Sequence, residues 1–216
     1  MIKKNKWKLL ISSIVILLPI VLGLIFWKQL PEQMVTHWGA DGEADGWSSR
    51  ASAVFSLPIF ILAVHWICIF FTAKDPKNKD QNNKIFRIVL WICPVTSLVA
   101  GCMVYAAALD QAIDQNFLIY GFCGLFFVII GNYLPKCKQN YTIGIKVKWA
   151  LENEENWNAT HRFCGKVWTI GGFLMMGCFL FPEEISLYVF ITLLLVLSGL
   201  SIGYSYYYFK TKQGRG

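Results

Sequence analysis

One short stretch of the chain combines side chains that suit ligand binding. Residues 37–47 hold one histidine, two tryptophans and three acids, namely His37, Trp38, Asp41, Glu43, Asp45 and Trp47. Indole rings offer large contact surfaces with a polar N–H, and carboxylates attract a cationic partner. The sequence leaves two interpretations open: a binding site for such a partner, or two indoles that anchor the stretch in the headgroup layer of a membrane.

The same stretch raises the question of a metal site. Asp41, Glu43, Asp45 and Gly46 follow the opening rhythm of a calcium-binding loop, D-x-[DN]-x-[DN]-G. The twelfth position of such a loop supplies a bidentate carboxylate, and here it is Ser52. We therefore expect no metal at this stretch.

A second stretch, 131–166, is rich in amide, basic and aromatic side chains. Its candidate interfacial or partner-binding residues are Asn132, Asn140, Gly144, Lys146, Trp149, Trp157, His161 and Arg162. His161 has no nucleophile beside it in the sequence, and neither H-E-x-x-H nor a glycine-rich phosphate loop is present. The sequence therefore predicts a protein that is not an enzyme and has no cofactor.

Local signals predict how this second stretch folds. Asn153 is a good N-cap, and Glu154 and Glu155 would stabilise the first turn through the helix dipole. The side chains at i, i+4, i+7 and i+11 from position 157 then form one stripe: Trp157, His161, Cys164 and Trp168. We expect an interfacial helix that begins near Asn153 and continues into a membrane span.

The composition indicates what positions these two stretches. The chain has 216 residues, of which 56% are hydrophobic and only 15% are charged, whereas soluble domains carry about 25% charged residues. The apolar residues form six runs long enough to cross a membrane: Leu9–Trp27, Phe55–Thr72, Ile88–Leu109, Phe117–Leu134, Val167–Phe181 and Ile185–Phe209. The predicted fold is all-α, a six-span polytopic protein whose residues 1–216 form one membrane domain.

The basic residues predict the orientation of these spans. With the N-terminus in the cytoplasm, 18 of the 20 Lys and Arg residues fall on the inner side, and Lys28 and Arg50 fall outside. The positive-inside rule then makes both termini cytoplasmic, residues 28–54 an outer loop and residues 131–166 a cytoplasmic segment. The net charge of +7 would face anionic lipid of the inner leaflet. No nucleic-acid-binding motif is present, so we expect no nucleic-acid partner.

Packing signals within the spans are of ordinary kinds. The pair Gly199-x-x-x-Gly203 predicts close approach of a second helix, and we expect the same of Gly121 with Gly124 and of Gly171 with Gly172. The seven cysteines lack metal-ligand spacing and are expected to be reduced packing residues. His65 is the one His, Asp, Glu, Lys or Arg deep in a predicted span, and we expect it to stay neutral and bond a neighbouring helix.

The two stretches together make the chain similar to the SdpI family, the immunity proteins against a bacterial sporulation-delaying protein. The outer motif L-P…H-W…G-E-x-D-G-W is matched by Leu30, Pro31, His37, Trp38, Gly42, Glu43, Asp45, Gly46 and Trp47. The inner motif is matched by Gly131, Asn132, Leu134, Pro135, Asn140, Gly144, Ile145, Trp149, Leu151, Glu154, Glu155, Trp157, Thr160, His161 and Arg162. The chain departs from the family pattern at Val35, Lys146, Lys148 and Glu152. Because Glu152 stands where the serine that caps the helix is usual, we expect Asn153 to act as the cap instead.

The resemblance implies an immunity protein of a bacterial plasma membrane that protects its producer from a secreted, membrane-active peptide toxin. Because the candidate side chains of residues 37–47 cluster in the one long external segment, we expect them to bind the toxin. The resemblance also implies that the cytoplasmic segment holds a small DNA-binding autorepressor at the membrane once toxin is bound. The alternative function is a small-solute or lipid transporter, for which intramembrane charge would be needed and only His65 is available.

Overall fold

The six runs of apolar sequence fold as six long helices. The structure is a computed structural model that describes residues 2–39, 42–80, 83–111 and 114–213. Within these ranges the helices long and apolar enough to cross a membrane are α1 (Lys6–Ile25), α2 (Arg50–Lys74), α3 (Asn83–Ala108), α4 (Gln115–Tyr133), α6 (Glu154–Met176) and α7 (Glu183–Tyr208). The predicted six-span helical fold is confirmed.

The chain divides into two compact units. The first comprises Met1–Ala73 and Arg87–Leu118, and the second comprises Lys74–Phe86 and Ile119–Gly216. That the whole chain forms one domain stays a prediction.

Polar side chains join the helices of the first unit. Ser97 Oγ donates to the carbonyl of Ile16 at 2.8 Å, and Tyr105 OH donates to the carbonyl of Pro19 at 2.6 Å. Ser12 Oγ lies 3.0 Å from Nε2 of the fully buried His65. These bonds satisfy polar groups that would be costly to leave unpaired in lipid. The predicted role of His65, a bond to a neighbouring helix, is therefore found.

Between α1 and α2 the first unit carries a β-hairpin, which the sequence analysis did not predict. Strands β1 (Gln33–Trp38) and β2 (Ala44–Ser49) pair antiparallel, with Val35 opposite Trp47. The register is irregular on either side of His37, which faces Gly46. A Cβ at Gly46 would lie 2.8 Å from the Cβ of His37, so glycine is needed for this close approach.

Glycines bring α4 and α6 of the second unit close together. A Cβ on Gly124 would lie 2.5 Å from the carbonyl of Gly172, and a Cβ on Gly131 would lie 2.9 Å from the carbonyl of Gly165. Each pair of glycines on one helix is seven residues apart, so both face the same side of that helix. The two helices therefore approach closely through their backbones at these glycines, as small residues permit in membranes.

Polar and aromatic contacts join α6 to α7 instead. Asn156 and Ser205 exchange two hydrogen bonds, and Trp168 Nε1 donates to Ser201 Oγ at 2.9 Å. By contrast, a Cβ at Gly199 or Gly203 would meet no atom within 4 Å. The prediction that this glycine pair brings a second helix close is wrong within the described chain. The serines beside it make the contacts.

The predicted start of α6 is confirmed. The Asn153 side chain accepts a hydrogen bond from the Asn156 N–H at 2.8 Å, and Glu154 and Glu155 occupy the first turn. A five-residue helix, α5 (Lys148–Glu152), precedes this cap. From this cap α6 runs without a break into its apolar part, as the predicted stripe of Trp157, His161, Cys164 and Trp168 requires.

Candidate functional site

The hairpin presents an exposed face that includes part of the predicted outer site. Residues 45, 47 and 49 alternate on β2 and are exposed, whereas the residues between them are half-buried. His37 Nδ1 lies 2.5 Å from Asp45 Oδ1, and the two side chains are 72% and 52% exposed. We call His37, Asp45 and Trp47 the hairpin patch.

The two tryptophans of the predicted site have different environments. Trp47 is 56% exposed. Trp38 is half-buried and packs against a core cluster made by Leu30, Met34 and Val54. The structure therefore separates them into one indole that is available for binding and one that holds the hairpin in place.

The remaining outer residues complete this description. Glu43 is exposed next to the start of β2, whereas Asp41 lies outside the described residues. In the described part of the chain, no three or more His, Cys, Asp or Glu side chains come together as a metal site would require.

The hairpin is fixed to the start of α2 by Arg50. The Arg50 N–H donates to the carbonyl of Glu32 at 2.8 Å, and its Nε donates to the carbonyl of Pro31 at 3.1 Å. The guanidinium also lies over the ring of Trp27, 5.4 Å from its centroid. Because both the backbone and the side chain of Arg50 bond to the residues just before β1, the hairpin is anchored to the start of α2.

The second predicted site folds around Asn140. This fully buried amide accepts hydrogen bonds from the N–H groups of Thr142 and Ile143, and it donates to the carbonyls of Lys138 and Ile143. A single side chain thus satisfies the backbone of a segment that lacks regular secondary structure. We call residues 137–147 the 137–147 loop.

Trp157 and His161 of α6 bond to the backbone of this loop. Trp157 Nε1 donates to the carbonyl of Cys137 at 2.8 Å, and its ring stacks on that of His161 at 4.0 Å. His161 Nδ1 donates to the carbonyl of Trp157, and its Nε2 accepts the Ile145 N–H at 3.0 Å. Both imidazole nitrogens are therefore used in a neutral ring.

Gly144 makes this arrangement possible. Its φ of +109° is unfavourable for other residues, and a Cβ there would overlap the His161 ring. Asn140, Gly144, Trp157 and His161 therefore come together as predicted in sequence, and three of the four are buried. Their contacts hold the 137–147 loop in shape.

Asp75 also holds the loop, and the sequence analysis missed it. Its Oδ2 accepts the Tyr141 N–H at 2.8 Å and the Thr142 hydroxyl at 3.0 Å, while its Oδ1 accepts the Lys77 N–H at 2.9 Å. The available signal was an acid, one of two with Asp80, in a connection that also holds five basic residues. Nothing in the sequence indicated a partner 66 residues away.

The other predicted inner residues lie elsewhere in the second unit. Lys146 is exposed, and Trp149 packs edge-on against Tyr206 at 5.3 Å. Asn132 and Arg162 line a separate groove. The predicted inner site thus divides into a buried support, an exposed loop surface and a groove.

Burial also affects the thiol of this loop. Cys137 is 3% exposed, and desolvation raises its pKa to about 11, although a hydrogen bond from Asn140 acts in the opposite direction. The thiol therefore stays protonated at neutral pH. It behaves as a packing residue, as the sequence predicts for the cysteines.

These features define a class of protein: a multi-pass helical membrane protein with a hairpin between its first two spans and a structured loop between its fourth and fifth. No solved structure matches it. The profile of the SdpI/YfhL protein family matches residues 136–205, and that of a domain of unknown function (DUF1648) matches residues 14–62. The first range includes the whole 137–147 loop, and the second includes the whole hairpin.

A relative covers the chain almost from end to end. The chain is 29% identical over 218 residues to the immunity protein SdpI of Bacillus subtilis (strain 168), an alignment that spans 98% of this chain and 99% of that protein. The chain is therefore similar to the SdpI family both in this profile and along a full-length relative. The resemblance noted from the two motifs is confirmed.

Proposed function

We propose that the protein gives its producer immunity against a secreted, membrane-active peptide toxin, and that the hairpin patch binds the toxin. The observation that carries the proposal is the exposed His37–Asp45 pair beside the exposed Trp47 on a fixed hairpin. The full-length similarity to an immunity protein supports it.

The topology proposed from the sequence puts the patch where a secreted toxin arrives. In this proposed topology each span crosses the bilayer once, which puts the connection after the first span and the connection after the fourth span on opposite sides of the membrane. The distribution of 18 of 20 basic residues supports a cytoplasmic N-terminus and C-terminus in a bacterial plasma membrane. The hairpin is then external and the 137–147 loop is internal.

The chemistry of the hairpin suits a cationic, partly apolar peptide. Trp47 offers an apolar ring with an N–H donor, while Asp45 and Glu43 supply negative charge. An exposed aromatic anchor surrounded by polar groups is the usual composition of a binding hot spot. We propose binding rather than catalysis, because both ring nitrogens of His161 already bond to the backbone.

The test is toxin challenge of a sensitive bacterium that expresses the protein. A panel of secreted antimicrobial peptides identifies the toxin against which the unaltered chain protects. Trp47→Ala should then abolish protection at unchanged membrane abundance, since it removes the exposed anchor but no core contact. The matched control is Trp7→Ala, which removes another exposed indole, 67% exposed, at the start of α1. Full protection by Trp47→Ala would reject the hairpin patch as the toxin site.

We propose further that the loop reports toxin binding to a cytoplasmic partner, a small DNA-binding autorepressor. The exposed loop residues Tyr141 and Lys146 are the surface offered to such a partner. The double change Tyr141→Ala and Lys146→Gln should prevent toxin-dependent co-purification of the repressor while protection remains. Undiminished co-purification would exclude this surface.

A further inference from the structure

A groove in the second unit is not used by either proposed site. It has a volume of about 880 Å³ and lies among α4, α6 and α7. Binding pockets for small molecules commonly measure about 300–1,000 Å³. The groove is therefore large enough for the headgroup and part of one chain of a lipid.

One wall of the groove changes from cationic to apolar along α6. Arg162, Lys166 and Ile170 are spaced at i, i+4 and i+8, so they follow one another on a single face. All three are exposed. The positive charge lies toward the start of α6, and the apolar part continues into the segment long and hydrophobic enough to cross a membrane.

The two cations have no carboxylate partner among the residues that the structure describes. Within the described chain, no carboxylate lies within 4 Å of the Arg162 guanidinium or the Lys166 ammonium. Arginine and lysine near the end of a span direct their charged groups to the membrane surface, where lipid phosphates lie. Two unpaired cations one turn apart would attract an anion at that depth.

The remaining walls of the groove add polar and aromatic groups. Asn132 contributes an exposed amide from the end of α4, and Tyr204 and Tyr208 line the groove from α7. Tyr204 stacks on Phe163 at 4.1 Å with an angle of 7° between the rings. These stacked rings give one wall of the groove a flat apolar surface, against which an acyl chain can pack.

We propose that this groove binds an anionic phospholipid of the inner leaflet. Its phosphate lies at Arg162 and Lys166 within reach of Asn132, and one acyl chain follows Ile170. An acidic peptide would match the charges but would leave the apolar part of the groove empty, so the lipid fits better. The proposal goes beyond the immunity function and needs neither toxin nor repressor.

Lipid titration of the purified full-length protein tests the proposal. Phosphatidylglycerol with a fluorescent acyl chain is titrated in detergent, and its anisotropy gives the Kd. Phosphatidylcholine with the same label should bind much more weakly. One basic residue near a membrane surface changes affinity for anionic lipid about fivefold. Arg162→Gln with Lys166→Gln should therefore weaken phosphatidylglycerol binding roughly 25-fold.

A matched variant separates the groove from general charge. Lys148→Gln with Lys212→Gln removes two exposed cations that do not line the groove, and it should change the Kd less than twofold. If the groove variant does not fold, Lys166→Gln alone should still weaken binding about fivefold.

Each of the following results would overturn the proposal. They are equal binding of phosphatidylcholine, an unchanged Kd in the groove variants, an equal loss in the matched variant, and displacement of the lipid by an acidic peptide. Displacement by glycerol phosphate at similar concentrations would show a site for free phosphate, and this would also reject the lipid.

Discussion

The hairpin and the 137–147 loop use similar residues in opposite ways. Each involves a histidine, a tryptophan, an acid and a glycine that lies against the histidine. In the loop only Gly144 belongs to the segment itself, whereas Asp75, Trp157 and His161 reach it from neighbouring elements. In the hairpin, His37 and Trp47 are exposed. In the loop, the neighbouring helix residues Trp157 and His161 are 0% and 1% exposed and their polar atoms bond to the backbone.

This difference shows that a motif rich in histidine, tryptophan and acids can form either an exposed surface for binding or a buried scaffold that holds the backbone. The loop has almost no regular secondary structure, so side chains must satisfy its backbone. The hairpin satisfies much of its own backbone through strand pairing, and its side chains are then free to face outward. Burial, rather than residue type, separates the two roles.

The sharpest test of this comparison replaces one tryptophan in each region. Trp157→Ala removes a fully buried ring and its hydrogen bond to Cys137, so it should lower the free energy of unfolding by about 3–5 kcal/mol. Trp47→Ala removes an exposed ring and should change it by less than about 0.5 kcal/mol. Unfolding in detergent titrated with dodecyl sulfate measures both.

In protection assays we expect the opposite order: Trp47→Ala should affect protection directly, and Trp157→Ala only through the loss of folded protein. The Trp47→Ala protein should be abundant and inactive, whereas Trp157→Ala should lose protection only as far as it loses folded protein. Equal destabilisation by the two changes would contradict the distinction between surface and scaffold.

The second prediction concerns the glycine against His161. Gly144→Ala should lower the free energy of unfolding by about 1–3 kcal/mol, because alanine is strained at a φ of +109° and its Cβ overlaps the imidazole. The control is Gly121→Ala in α4, where a Cβ would meet nothing within 4 Å. That change should be neutral or stabilising, by up to about 1 kcal/mol. A neutral Gly144→Ala would show that the loop is not held as described.

Local signals predicted the helices and the start of α6. Runs of apolar residues long enough to cross a membrane give the six spans, and the side chain of Asn153 makes the expected cap. Both depend on neighbouring residues alone. This part of the fold could therefore be predicted from sequence.

Long-range contacts could not be predicted in the same way. The hairpin depends on irregular pairing around His37, and Trp38 is half-buried because it packs on a core cluster of residues distant in sequence, which include Leu30, Val54 and Val104. The bond between Asp75 and Tyr141 joins residues 66 positions apart. Gly124 and Gly172 lie at a helix contact whereas Gly199 and Gly203 do not, and spacing alone does not show which helix lies opposite.

The smallest effect is expected from the acid in each region, and it is informative because both changes are nearly isosteric. Asp75 uses both carboxylate oxygens to accept hydrogen bonds from Lys77, Tyr141 and Thr142. An asparagine has one acceptor oxygen, so Asp75→Asn would turn an N–H donor toward another donor. It should lower the free energy of unfolding by about 1–2 kcal/mol.

Asp45→Asn should have a smaller effect on stability, less than about 1 kcal/mol, because the pair with His37 is exposed and the amide oxygen can still accept its proton. The same change should weaken protection, since it removes negative charge from the hairpin patch. The dodecyl sulfate titration and the toxin challenge are run on both variants. If Asp45→Asn destabilises the protein more than Asp75→Asn does, the hairpin is a scaffold as well, and the contrast between the two regions is lost.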